Sequence, residues 1–162
     1  MEKKRFAESE LIINEDGSVF HLHVKPEQLA DKVILVGDPG RVTLVASHFE
    51  TKECDIESRE FHTITGTYQG KRITVLSTGI GCDNIDIVMN ELDALANINF
   101  KTRFENDKHR TLELVRIGTC GGLIRLTHVA CPTEVSNELA LEFKVANLIA
   151  SGIEIEQAIE AY

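Results

Sequence analysis

The segment VILVGDPGRV, residues 33–42, constrains the fold more than any other part of the sequence. Its first five residues are a short apolar run that ends in glycine, which is typical of a strand buried on both faces of a sheet. Asp38 is a good helix N-cap and Pro39 fits a first helical turn, so we predict a helix directly after the strand. A buried strand followed at once by a helix indicates an α/β fold.

The remaining periodicity predicts a mixed sheet. Residues 85–98 carry apolar side chains at helical spacing, and the polar residues 99–111 are predicted to form a surface loop. A hairpin turn at 69–71 joins two of the further strand-like segments, so part of the sheet is predicted to be antiparallel. The strand-like segments are residues 52–58, 61–68, 71–78 and 111–123. Strands that alternate with helices favour one α/β domain with a mixed sheet.

The composition narrows the class of partner. The chain has 162 residues, of which 43% are hydrophobic, and this suffices for one domain with a real core. Its formal net charge of -9 argues against a nucleic-acid surface, which requires clustered Lys and Arg. A few convergent arginines still hold an anion locally, because exposed charges are screened beyond about 8 to 10 Å. We therefore predict a small-molecule partner and no nucleic acid.

Secretion and membrane signals are not found in the sequence. Glu8, Glu10 and Asn14 interrupt the apolar residues of the N-terminal stretch, and no segment approaches about 18 uninterrupted apolar residues. We predict a cytoplasmic protein with no membrane partner.

The cysteines lack zinc-finger spacing, and we expect buried free thiols. They are Cys54, Cys82, Cys120 and Cys131. His21 and His23 lack a third ligand at useful spacing, so we predict no metal.

Two strand ends carry the same candidate chemistry. GDPGR at 37–41 and RIGTCGG at 116–122 each combine glycines with an arginine, and ligands of open α/β sheets bind at such strand ends. Glycine lets backbone N–H groups approach an oxyanion, and guanidinium forks match phosphate oxygens. Thr119 adds a hydroxyl donor. The alternative is that the glycines only close turns and the arginines cover surface, and spacing alone leaves both interpretations open.

The chain resembles the nucleoside phosphorylases of the uridine phosphorylase type. The motifs that carry the resemblance occur in the family order, from about residue 19 to about residue 123, and family chains are longer. They are FHL at 20–22, GDPGR at 37–41, SREF at 58–61, STGIG at 77–81 with EL at 91–92, and RIGTCGG at 116–122. We therefore expect residues 1–123 to be a phosphorylase-like N-terminal half and residues 124–162 to be an atypical helical tail of the same domain.

The resemblance implies a Rossmann-like three-layer α/β/α fold with a mixed central sheet. It also implies a pentosyltransferase of nucleoside catabolism and pyrimidine salvage, which uses phosphate as cosubstrate and no cofactor. The enzyme would cleave the N-glycosidic bond of a nucleoside and release the base and ribose 1-phosphate.

The resemblance further implies a role for each matching site residue. Gly37 is a backbone donor to phosphate, Arg41 and Arg116 are the catalytic guanidinium clamps, and Thr119 is a hydroxyl donor to phosphate and nucleoside. Arg59 and His21 reach across a dimer interface, the first to phosphate and the second to the ribose 5′-hydroxyl. A homo-oligomer is therefore implied, built from dimers and hexameric in full-length members.

The sequence departs from the family pattern after Leu123. The expected strand does not follow, and the residues that bind the base and the ribose hydroxyls in the family have no counterpart. We therefore expect a truncated chain that binds phosphate and turns over nucleosides poorly or not at all. The alternative is a non-catalytic remnant that associates with a full-length homologue.

Overall fold

The structure is a computed structural model that describes residues 5–118, so Thr119 and the predicted tail 124–162 lie outside the described residues. A short 3-10 turn, Pro26–Gln28, precedes the first strand. The strands are β1 (Lys32–Val36), β2 (Thr51–Ser58), β3 (Phe61–Tyr68), β4 (Lys71–Ser77), β5 (Ile98–Asn99), β6 (Phe104–Glu105) and β7 (Glu113–Ile117). The helices are α1 (Pro39–Ala46) and α2 (Cys82–Asn97).

The main sheet is mixed, as the sequence predicts. Its strand order is β2-β3-β4-β1-β7. The antiparallel strands β2, β3 and β4 follow one another along the chain through tight turns. β1 is parallel both to β4 and to β7, which places β1 inside the sheet between two strands that come later in the sequence.

Strand β1 is buried on both faces, because alternate residues belong to different cores. Val33 and Leu35 pack in the core that contains α2 residues such as Leu92. Ile34 and Val36 pack in the second core, which contains the α1 residues. One helix therefore covers each face of the sheet, and the predicted three-layer α/β/α arrangement with a mixed central sheet is confirmed for the described residues. Each fully buried aliphatic side chain stabilises this arrangement by about 1.5 to 3 kcal/mol.

Local sequence signals explain where α1 begins. The Asp38 carboxylate accepts a hydrogen bond from the Gly40 N–H at 2.6 Å, and Pro39 occupies the first turn, as predicted. Helix α2 follows Gly81, which caps without a side-chain bond. Its apolar face, which includes Val88 and Leu95, is buried against the sheet.

Two predictions need correction. Residues 99–111 are not all loop, because β5 and β6 form a small antiparallel pair in which Asn99 lies opposite Phe104. Cys54 and Cys82 are free as expected, but Cys82 is exposed and Cys54 is half-buried, while Cys120 and Cys131 lie outside the described residues. Cys82 is the first residue of α2, where its side chain does not reach the apolar face.

In the described part of the chain, no helix is long and apolar enough to cross a membrane.

Candidate active site

Three parallel strands bring three glycine turns to one edge of the sheet. The last residues of β4 and β7, Ser77 and Ile117, both lie in register with Val36 at the end of β1. The turns after these strands enclose a cavity of about 300 Å³. Residues that line it include Gly37, Asp38, Arg41, Gly79, Arg116 and Gly118. The structure thus brings together Gly37, Arg41 and Arg116, as the sequence predicts.

The two arginines reach the cavity from opposite sides of β1. Arg41 lies in the first turns of α1, and Arg116 lies on β7 in register with Leu35. Within residues 5–118, neither guanidinium forms an ion pair with a carboxylate, in contrast to Arg72 and Arg110. The Nε of Arg116 is buried and has no hydrogen-bond partner among these residues. The cavity therefore concentrates positive charge in a chain of net negative charge.

Asp38 determines how an anion can be held in the cavity. Because its carboxylate accepts the N–H of Gly40, the first turn of α1 already has an acidic cap. That carboxylate competes with an anion for the positive end of the helix. The cationic groups available to an anion are instead the guanidinium groups of Arg41 and Arg116.

Gly79 lines the cavity but is missing from the predicted site residues. It has a φ of 61°, and a Cβ there would lie 2.9 Å from the amide nitrogen of Asn84. Only glycine adopts this turn without strain. The signal in the sequence is the STGIG motif, in which glycines follow directly after a buried strand.

His62 connects the neighbouring strands to the first site turn. Its ring, on β3, is 7% exposed, and Nε2 donates to the Asp55 carboxylate at 2.7 Å. Its Nδ1 lies 3.4 Å from the carbonyl oxygen of Pro39, the residue between Asp38 and Gly40. The ring therefore links β2, β3 and the start of α1.

His21 and Arg59 lie outside the arginine cavity, in a second cluster. The cluster is organised around Phe20, whose ring meets the His21 ring edge-on at 4.9 Å. The Arg59 Cζ atom lies 5.1 Å from the centre of the same Phe20 ring. Arg59 is exposed and has a φ of 55° in the tight turn between β2 and β3. The cluster thus brings together the two residues expected to act across a dimer interface.

His21 is held by an acidic residue of α2. It lines a cavity of about 380 Å³ between the N-terminal segment and α2, and its Nδ1 lies 2.7 Å from Oε1 of Glu91. Residues 5–118 contain no cluster of three potential metal ligands. His21 and His23 do not share a strand face, because they belong to an irregular turn in which His23 has a φ of 54°.

The sequence profile of the Phosphorylase superfamily matches residues 31–153, so the chain belongs to this superfamily. The match extends past Leu123, where the motifs of the sequence analysis end. The DeoD-type purine nucleoside phosphorylase of Streptococcus suis is 37% identical over 110 residues, which cover 67% of this chain and 41% of that protein. The DeoD-type enzyme of Thermoanaerobacter sp. is 34% identical over 125 residues, which cover 75% of this chain and 48% of that protein.

Solved structures resemble the same part of the chain. A Trypanosoma brucei nucleoside phosphorylase that shows uridine phosphorylase activity is 36% identical, with a TM-score of 0.63 over 68% of this chain and 39% of that one. A uridine phosphorylase of the oomycete Phytophthora capsici is 30% identical, with a TM-score of 0.56 over 67% of this chain and 34% of that one. The chain spans less than half the length of these relatives.

Proposed function

We propose that this chain is a nucleoside phosphorylase of the uridine phosphorylase type, which cleaves the N-glycosidic bond with inorganic phosphate. The observation that carries the proposal is the cavity shared by Gly37, Arg41 and Arg116 at the ends of three parallel strands. Two guanidinium groups without a carboxylate partner in the described residues suit a phosphate dianion. A nucleosidase uses water and has no such charge to neutralise, so the cavity favours phosphorolysis over hydrolysis.

The proposed chemistry needs few reactive side chains. Arg41 and Arg116 hold phosphate with the backbone N–H of Gly37 and the hydroxyl of Thr119. As the bond from C1′ to the base nitrogen breaks, the base takes the electron pair and positive charge develops on the sugar. The phosphate stabilises that charge, and its oxygen forms the new bond to C1′, which gives ribose 1-phosphate. The protein contributes position and preorganised charge, which are large terms in catalysis.

The proposal includes assembly into symmetric dimers. Arg59 and His21 do not line the arginine cavity of their own chain, which fits the implied role of serving the site of a neighbour. Each subunit would then lend both residues to its partner. A monodisperse monomer in sedimentation at high concentration would contradict the shared site.

We also propose that residues 1–123 form the phosphorylase-like half and residues 124–162 a helical tail of the same domain.

Phosphate binding and phosphate-dependent turnover test the proposal separately. Titration calorimetry with inorganic phosphate should show that Arg41→Ala and Arg116→Ala each weaken binding about ten- to a hundredfold, which corresponds to about 1.5 to 3 kcal/mol. Arg110→Ala is the matched control, because Arg110 pairs with Asp31 and does not line the cavity. Unchanged affinity in both cavity variants would refute the phosphate assignment.

Turnover is measured with uridine and with inosine, since the relatives include both uridine and purine nucleoside phosphorylases. For this chain, we expect turnover of both nucleosides to be slow or undetectable. Release of base and ribose 1-phosphate at a rate typical of enzymes, which requires phosphate and is lost in Arg116→Ala, would show instead that the chain forms a complete nucleoside site. Base release without phosphate would mean hydrolysis. Phosphate binding without turnover of either nucleoside would favour the non-catalytic alternative, in which the chain associates with a full-length homologue.

A further inference from the structure

A buried carboxylate collects three donors from the turn that carries His21. Glu91 lies on α2, and its side chain is 11% exposed. Its Oε1 accepts the backbone N–H of His21 at 2.9 Å and faces the ring Nδ1 at 2.7 Å. Its Oε2 accepts the backbone N–H of Leu22 at 2.9 Å. One side chain thus fixes both the backbone and the ring of His21.

This arrangement determines which ring nitrogen bears hydrogen. An ionised carboxylate has only acceptors, and both backbone groups that point at Glu91 are donors. The ring must therefore present an Nδ1–H to Glu91, whether the imidazole is neutral or protonated. Within residues 5–118, Nε2 of His21 has no hydrogen-bond partner. In the neutral ring this nitrogen is an acceptor, which suits a hydroxyl donor.

The neighbouring aromatic ring restricts the orientation further. The Phe20 ring meets the His21 ring edge-on, at an interplanar angle of 79°, and Arg59 lies over the Phe20 ring. The imidazole is thus held at Nδ1 by Glu91 and on one side by Phe20, while 31% of its side chain remains exposed.

We propose that Glu91 is a positioning residue, which holds His21 in the Nδ1–H form so that Nε2 accepts a hydrogen bond from the 5′-hydroxyl of a bound nucleoside. The second half of this statement rests on the proposed function, in which His21 contacts the nucleoside. The first half depends only on the contacts of Glu91. Glu91 would therefore help to determine whether the site distinguishes a nucleoside from its 5′-deoxy analogue.

Ring nitrogen spectroscopy tests the positioning without any need for activity. In protein labelled with ¹⁵N-histidine, long-range proton–nitrogen correlation at alkaline pH should show His21 as the Nδ1–H tautomer. Glu91→Gln offers one acceptor oxygen where three donors converge, so the Nδ1–H tautomer should lose its dominance. Asp86→Asn is the matched control, since Asp86 is an exposed acidic residue that lines the same cavity from α2. It should leave the tautomer unchanged.

Kinetic measurements then test whether the positioned His21 ring contacts the 5′-hydroxyl of the nucleoside. The ratio of kcat/KM for uridine to that for 5′-deoxyuridine, and the same ratio for inosine and 5′-deoxyinosine, should fall about two- to tenfold in Glu91→Gln. His21→Ala keeps the backbone donors to Glu91 and should lower the ratio to a similar extent. Adding Glu91→Gln to His21→Ala should lower it no further, because Glu91 acts through the ring.

The outcomes separate the two parts of the proposal. An Nε2–H tautomer in the unmodified protein, or an unchanged tautomer in a folded Glu91→Gln variant, would overturn the positioning role whatever the activity. If Glu91→Gln does not fold, the tautomer of the unmodified protein still tests the positioning role. The ratio measured in His21→Ala still tests the hydroxyl contact. A correct tautomer together with equal ratios in the unmodified protein and His21→Ala would refute the hydroxyl contact and leave the phosphate proposal standing.

Discussion

The substitution Gly66→Ala tests how closely β2 and β3 are packed. Gly66 is buried on β3, where it pairs with Ile73 of β4 and lies beside a register shift in β2. A Cβ at this position would lie 2.1 Å from the carbonyl oxygen of Thr51 and 2.6 Å from Cδ2 of Phe49. The Phe49 ring can turn aside, but the carbonyl belongs to the β2 backbone. One methyl group therefore forces the two strands apart.

The expected cost follows from these distances. Overpacking of a core by a methylene costs typically about 1 to 3 kcal/mol, and a backbone atom that cannot move places Gly66→Ala at the upper end, at about 3 kcal/mol. In urea, with a slope of about 1 to 3 kcal/mol per molar, the midpoint of unfolding should fall by about 1 to 3 M. Gly81→Ala is the control, because a Cβ there meets no atom within 4 Å and the residue has a φ of -83°.

The control should cost less than about 1 kcal/mol, since its main effect is a slightly poorer N-cap of α2. Equal midpoints for Gly66→Ala and Gly81→Ala, at unchanged slope, would show that β2 and β3 are not packed as described. The result also bears on the site, because this strand pair carries the turn that contains Arg59.

Two further substitutions test electrostatic contacts of the same sheet. The hydrogen bond from Arg72 lowers the pKa of Glu53 below 4.5, so the ionised form stabilises the fold above that pH and the contribution is lost as pH falls through the folded value. In urea titrations, Glu53→Gln should therefore cost less than about 1 kcal/mol near neutral pH, because the pair is exposed, and this cost should shrink as the pH falls below 4.5. His62→Phe keeps a planar ring but removes the hydrogen bond to Asp55 and the polar contact with the Pro39 carbonyl. It should weaken phosphate binding about three- to tenfold in calorimetry, and unchanged affinity would contradict the link.

The local elements could be predicted because their causes are local. The apolar run of β1, the cap at Asp38 and the spacing of α2 each depend on neighbouring residues. Strand order is different, since β1 pairs with β4 and β7, and no local pattern specifies those partners. The pairing of β5 with β6 was missed for the same reason. Two-residue strands have no periodicity to detect.

The site residues also differ in whether their position has a local cause that the sequence reveals. Gly37, Arg41 and Arg116 were predicted because strand-end glycines and arginines carry the signal in their own motifs. The contact between Glu91 and His21 was missed. Glu91 belongs to the EL motif at 91–92, but it lies 70 residues from His21, and neither motif shows that the two residues meet. His62 was missed as well. Its contact with Pro39 depends on how β3 packs against α1, which the sequence of either element does not reveal.

The topology also explains why the polar segment 99–111 can be accommodated without disturbing the arginine cavity. β4 ends at the arginine cavity, and α2 begins beside it. Because α2 runs back along the sheet, its last residue, Asn97, lies at the end of the strands opposite the cavity. The segment stays at that end, where Arg110 bonds to the Leu29 carbonyl and to Asp31, just before β1. β7 then runs parallel to β1 and returns Arg116 to the cavity. Changes in the length of this connection therefore act on the far end of the sheet, while the register of β7 with β1 determines where the backbone of Arg116 meets the cavity.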